Sequence, residues 1–306
     1  MCDACASGGC DRREFLAAGG ALGAAALLSA VEAAGAAATG AQGLPPRAKK
    51  PARVLVAFLY PPADVVNAGK MEDSWAPHQW FTWPGNQFQP EAQQQKFTGK
   101  IREMAKSLGI EVEFAPRAIY QQAKVEEFIA QAKQSAPDAV LIVNFWNTLS
   151  KWALQMATEA APTAIVYHSV GSNHQLPPEP LRKAEGLYYI HSIENFDEIE
   201  RGLRAVRAKK MLAQSRLLRV SGRVTSLVQD HEKTLDMEIV GVPAAELNAM
   251  FDAITPDDAM RQEALAFKKR AIRVTDVSDE YFVEALRAHR AVRQIIDRYG
   301  ADAITI

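Results

Sequence analysis

The sequence predicts an α/β protein built from two consecutive open, mostly parallel sheets flanked by helices. Two observations predict it. Residues 138–143 (DAVLIV) contain five apolar residues in a row, and residues 53–59 (RVLVAFL) and 163–167 (TAIVY) are runs of the same kind. Strands that lack polar alternation are buried on both faces, as in parallel sheets covered by helices. Between these runs lie segments with helical spacing of apolar residues, so β and α alternate along the chain.

The elements follow in order. Residues 91–108 carry a helical pattern closed by Gly109, a residue suited to the left-handed C-cap. Residues 110–114 alternate as a strand. Residues 124–134 place Val125, Phe128, Ile129 and Ala132 on one helical face. A helix over 149–160 follows the 138–143 strand, and 187–190 is a short fifth strand. No G-x-G-x-x-G follows the first strand, which argues against a dinucleotide site. The first α/β domain is therefore expected over residues 52–194.

A basic helix over 195–214, with Arg201, Arg204, Arg207, Lys209 and Lys210, reads as a solvated connection. Nothing else in the chain supports a nucleic-acid module, and the net charge is −1. The second α/β domain, 215–306, has strands at 216–220, 237–240 and 302–306. Its helices are expected to end at 254, over 256–271, and over 278–299 with Ser278 as N-cap and Gly300 as stop. Its last strand would lie bare at the end of the sequence, so the chain is expected to be the front part of a longer one.

A hydrophobic fraction of 48% with 23% charged residues fits a soluble globular body. Cys2, Cys5 and Cys10 are the only cysteines, so the body has no disulfide and no thiol nucleophile. Residues 1–42 carry Arg12-Arg13, then Phe15-Leu16 and an Ala/Gly/Leu run. This resembles a twin-arginine export signal and predicts a periplasmic protein that meets the membrane only during export. Residues 43–51, with two prolines after Leu44 and three basic residues, read as a linker.

Ligands of open α/β sheets bind at the carboxyl ends of the strands. There the chain offers Asn144, Trp146 and Asn147 after one strand, and His168 and Asn173 after its neighbour. Amides hydrogen-bond hydroxyls, and an indole face covers the apolar side of a sugar ring, so these residues suit a neutral polyol. Packing of Trp146 on the next helix, with Asn147 or Thr148 as its cap, is the structural alternative. Residues 60–90 hold Trp75, Trp80 and Trp83 among prolines and glycines. They read either as a lid over this edge or as an Ω-loop packed on its own aromatics. Asp230, Glu232 and Asp236 near His231 imitate a metal cluster but read as a solvated turn.

Four features together resemble the L-fucose/L-arabinose isomerase-like family: the turn Asn144-Phe145-Trp146-Asn147, and His168 with Gly171 and Asn173. To these add Ser221-Gly222-Arg223 followed by the 238–247 segment, and the long helix leading into 299–306 (YGADAITI). The resemblance covers residues 53–306. It implies aldose–ketose interconversion at a divalent metal, commonly Mn, and a homo-oligomer that binds a small-molecule sugar. The family's metal ligands lie beyond the 302–306 strand, so none is assigned here and the chain alone is expected to be inactive. A leader sets it apart from the cytosolic isomerases. An exported sugar-binding receptor has a similar plan, but such receptors usually cross between domains more than once, whereas a single crossing is expected here.

Overall fold

A computed structural model describes residues 43–68, 89–145, 150–169 and 183–306. The first sheet comprises β1 (Arg53–Leu59), β2 (Glu111–Phe114), β3 (Ala139–Asn144), β4 (Ala164–Ser169) and β5 (Leu187–Ser192). All are parallel, in the order β2-β1-β3-β4-β5. This is a common doubly wound order, and its winding reverses between β1 and β3. Every residue of β3 and β4 is buried, which is why neither strand alternates in sequence.

Helices α1 (Ala63–Asn67), α2 (Pro90–Leu108), α3 (Gln122–Ser135), α4 (Ser150–Glu159) and α5 (Phe196–Ala213) cover this sheet. On one face, Phe97 and Ile101 of α2 and Leu203 of α5 pack on Val56, Val143 and Tyr167. On the other, Phe128 of α3 and Trp152 of α4 pack on Leu55, Ile142 and Val166. Gly109 closes α2 in the left-handed conformation, φ 62°. The basic residues of α5 are largely paired: Arg201 with Glu198, Arg204 with Glu200, and Lys210 with Asp138 at 2.8 Å.

The second sheet is β6 (Arg216–Ser221), β7 (Val228–Glu232), β8 (Met237–Pro243) and β9 (Ala303–Thr305), in the order β7-β8-β6-β9. Three strands are parallel, and β7 pairs antiparallel to β8. The α/β expectation thus holds, with one antiparallel edge. Helices α6 (Ala244–Ala253), α7 (Asp258–Arg270) and α8 (Asp279–Arg298) complete this part. Ile295 of α8 and Tyr299 just after it pack on Leu218, Val220 and Val240. Ser278 stands at the N-cap of α8 without a side-chain hydrogen bond, and Asp279 and Glu280 supply the acidic first turn.

Two expectations are corrected. Residues 228–232 are a strand, not a turn: β8 supplies the hydrogen-bond ladder that the exposed sequence VQDHE does not announce. Residues 43–51 are a packed strap, not a free linker. Leu44 joins the apolar cluster of the second sheet, Lys49 Nζ lies 2.7 Å from Asp302, and Arg216 donates to the carbonyl of Pro45 at 3.0 Å. The Gln214 side chain accepts from Lys50 N at 2.7 Å and donates to Lys50 O at 3.0 Å. Consequently the segment that leads into β1 packs on the second sheet, beside the connection from α5 into β6.

Candidate functional site

Parallel register brings polar residues to one row at the carboxyl edge of the first sheet. Leu59 pairs with Asn144, Asn144 with His168, and His168 with His191. Side chains alternate along a strand, so residues in register share a face. Asn144 continues the face of Val140 and Ile142, His168 that of Ala164 and Val166, and His191 that of Leu187 and Tyr189. This is the face covered by α3 and α4.

Asn144 and His168 were expected after their strands. They are instead inside them, 1% and 2% exposed, because β1 and β5 extend the ladder through both positions. Asn144 Nδ2 donates to Ser150 Oγ, the first residue of α4, at 3.4 Å. His168 Nδ1 lies 2.9 Å from Tyr189 Oη, and the His168 and His191 ring centroids are 5.2 Å apart. Burial, reinforced by His191, pushes the His168 pKa down to about 4, so this imidazole is neutral at pH 7. Burial pushes the Tyr189 phenol up to about 12. Asn144, His168 and Tyr189 therefore offer uncharged hydrogen-bonding groups. Among the described residues, His191 Nε2 and, on the opposite face, Ser169 Oγ are also buried without a hydrogen-bond partner.

Trp146, Asn147 and Asn173, like Arg12 and Arg13, lie outside the described residues, as do most of residues 60–90. The structure brings Asn144 and His168 together and adds His191, Tyr189 and Ser150, which sequence reasoning missed. The signal was present: Leu187, Tyr189 and His191 alternate on one face, but the strand was ended at Ile190.

At the winding reversal, the Tyr60 and Phe145 rings lie 5.9 Å apart, and the Tyr60 hydroxyl is hydrogen-bonded to Gln94. Burial, then Glu91, pushes the Tyr60 phenol up to about 12. Beside it runs an open groove of about 680 Å³, lined by Tyr60, Glu91, Gln94, Arg117, Tyr120 and Lys124 among others.

The described residues do not fit a manganese centre. No group of three or more His, Cys, Asp or Glu stands together among them in a metal-binding arrangement. His231 Nε2 is 2.7 Å from Asp236, but the pair is exposed on the β7–β8 hairpin. No protein-family model matches the chain, and no curated protein matches it.

Proposed function

We propose that the protein binds a small neutral sugar at the carboxyl edge of its first sheet. The row Asn144–His168–His191 carries the reading. It presents an amide and two imidazoles at the edge where doubly wound sheets take ligands, and His168 is held uncharged there. A charged ligand would need a counter-charge, whereas Asn144 donates to Ser150 and His168 lies against Tyr189, both uncharged groups. Trp146, two residues past Asn144 in sequence, supplies the stacking face in this reading.

Aldose–ketose isomerisation is the reaction the family resemblance proposes. It requires a metal and ligands that the described residues do not offer, so the binding of sugar is the part supported here. The exported sugar-binding receptor is the second reading, and one observation favours it: Lys50, before β1, and Gln214, before β6, are hydrogen-bonded side by side, as paired hinge segments are. In either reading the protein is exported through the twin-arginine route and assembles as a homo-oligomer.

Stacking and a few hydrogen bonds supply roughly 4–5 kcal/mol, which is about millimolar affinity. Titration of tryptophan fluorescence with a panel of pentoses and hexoses tests this. A saturable change with at least one sugar, lost in Trp146→Ala, is the expected result. No change with any sugar would sink the proposal.

A further inference from the structure

We propose that His168 and His191 together read two adjacent hydroxyls of one neutral polyol, and that His191 sets the specificity of the site. The inference rests on the sugar-binding reading and names the ligand feature that is recognised.

The two histidines are Cα partners on adjacent parallel strands, and their rings share a face with centroids 5.2 Å apart. His168 is 2% exposed, and its Nδ1 is held by Tyr189 at 2.9 Å, which fixes the ring. His191 Nε2 is buried with no hydrogen-bond partner among the described residues. A buried polar atom left unpaired costs about 1–3 kcal/mol, so the site is stabilised by whatever supplies the missing bond.

Three ligand classes compete for two such nitrogens. A divalent ion would be buried beside two imidazoles, and among the described residues no carboxylate is paired with either ring to compensate its charge. An anion would meet no ammonium or guanidinium hydrogen-bonded to His168 or His191 among the described residues. A hydroxyl carries no charge and both donates and accepts, so it satisfies an imidazole nitrogen in either tautomer. Each nitrogen serves one hydroxyl at about 2.7–3.2 Å, and rings this close serve hydroxyls on neighbouring carbons.

Carbon–proton NMR of the histidine rings in the mature protein tests the inference. D-ribose, D-xylose, L-arabinose and D-glucose are titrated, each beside its 2-deoxy and 3-deoxy forms. At least one sugar is expected to shift the His168 and His191 ring signals together, with one dissociation constant. Removing one hydroxyl of the recognised pair should weaken binding by about tenfold or more. His191→Phe should weaken it by a similar factor, and His191→Gln, which keeps a hydrogen-bonding end, should restore most of it at an unchanged thermal midpoint. Fluorescence-detected sugar binding that leaves both ring signals unmoved, or that His191→Phe does not weaken, overturns the inference while the sugar-binding reading stands. Absence of any sugar binding overturns both. Zinc chloride that saturates both rings stoichiometrically, with no deoxy discrimination among sugars, assigns the pair to metal instead and also overturns it.

Discussion

His168 Nδ1 lies 2.9 Å from the hydroxyl oxygen of Tyr189, two groups that burial keeps uncharged. Burial of His168, reinforced by His191, makes stability depend on pH with a defined sign. The folded His168 pKa is about 4, below the ordinary 6.5. Between these values the unfolded chain binds a proton that the folded chain refuses. Stability is therefore intact above about pH 6.5 and falls as pH drops toward 4, by roughly 3 kcal/mol in total. Urea denaturation from pH 7.5 to 4 measures the slope, and His168→Phe should flatten it. A slope unchanged in that variant would show that other groups cause it.

The strap gives a second prediction. Arg216 is 6% exposed, pairs with Glu238 at 3.0 Å and donates to the carbonyls of Pro45 and Tyr299. Arg216→Ala removes the nearer cation of a partly buried Glu238 and leaves the Pro45 and Tyr299 carbonyls without their donor, so it should cost about 3–5 kcal/mol. Arg47→Ala breaks a pair at 3.7 Å whose arginine is 33% exposed, and should cost under about 1 kcal/mol. Comparable losses for the two variants in denaturant melts would contradict this account of the strap.

Gly300 marks the same contact from the other side. Its φ is +50°, and an added Cβ would stand 2.6 Å from Pro46 Cα. Gly300→Ala should combine left-handed strain with displacement of the strap, and lower stability by about 1–3 kcal/mol. Differential scanning calorimetry reads the loss, and an unchanged midpoint would mean that the strap does not pack there in solution.

Trp152 separates stability from binding. It is 1% exposed in the core under α4, so Trp152→Ala should cost about 3–5 kcal/mol. Below its lowered melting temperature the variant should keep its sugar affinity. Loss of affinity in a still folded Trp152→Ala protein would move the site into the core cluster.

Export is tested in cells. Replacing Arg12 and Arg13 together by lysine should leave the protein in the cytoplasmic fraction. Unchanged export would remove the twin-arginine assignment.

Strands buried on both faces were the legible part of this fold. Residues 139–143 announce β3 because every position faces a helix, so nothing polar interrupts the run. The edge strand β7 was hidden for the opposite reason: solvent on most of its surface leaves VQDHE free of pattern, and only pairing with β8 makes it a strand. The strap was hidden because its partners are Gln214, Glu238 and Asp302, all far away in sequence, while locally it shows only prolines and basic residues. Asn144 and His168 were found as polar residues ending apolar runs. His191 was missed because a strand end depends on how far the neighbouring strand extends, and β4 carries the pairing through to Ser192.

The central claim is that the Asn144–His168 row holds a neutral sugar. Isothermal titration of the mature protein and its Asn144→Leu variant with D-ribose, D-xylose, L-arabinose and D-glucose tests it most directly. Leucine keeps the shape of the asparagine and removes its hydrogen bonds. The account predicts saturable, about millimolar binding of at least one sugar by the parent protein, and a loss of about tenfold or more in a variant that still melts cooperatively. Heat of dilution alone with every sugar, or equal affinity in Asn144→Leu, would contradict it.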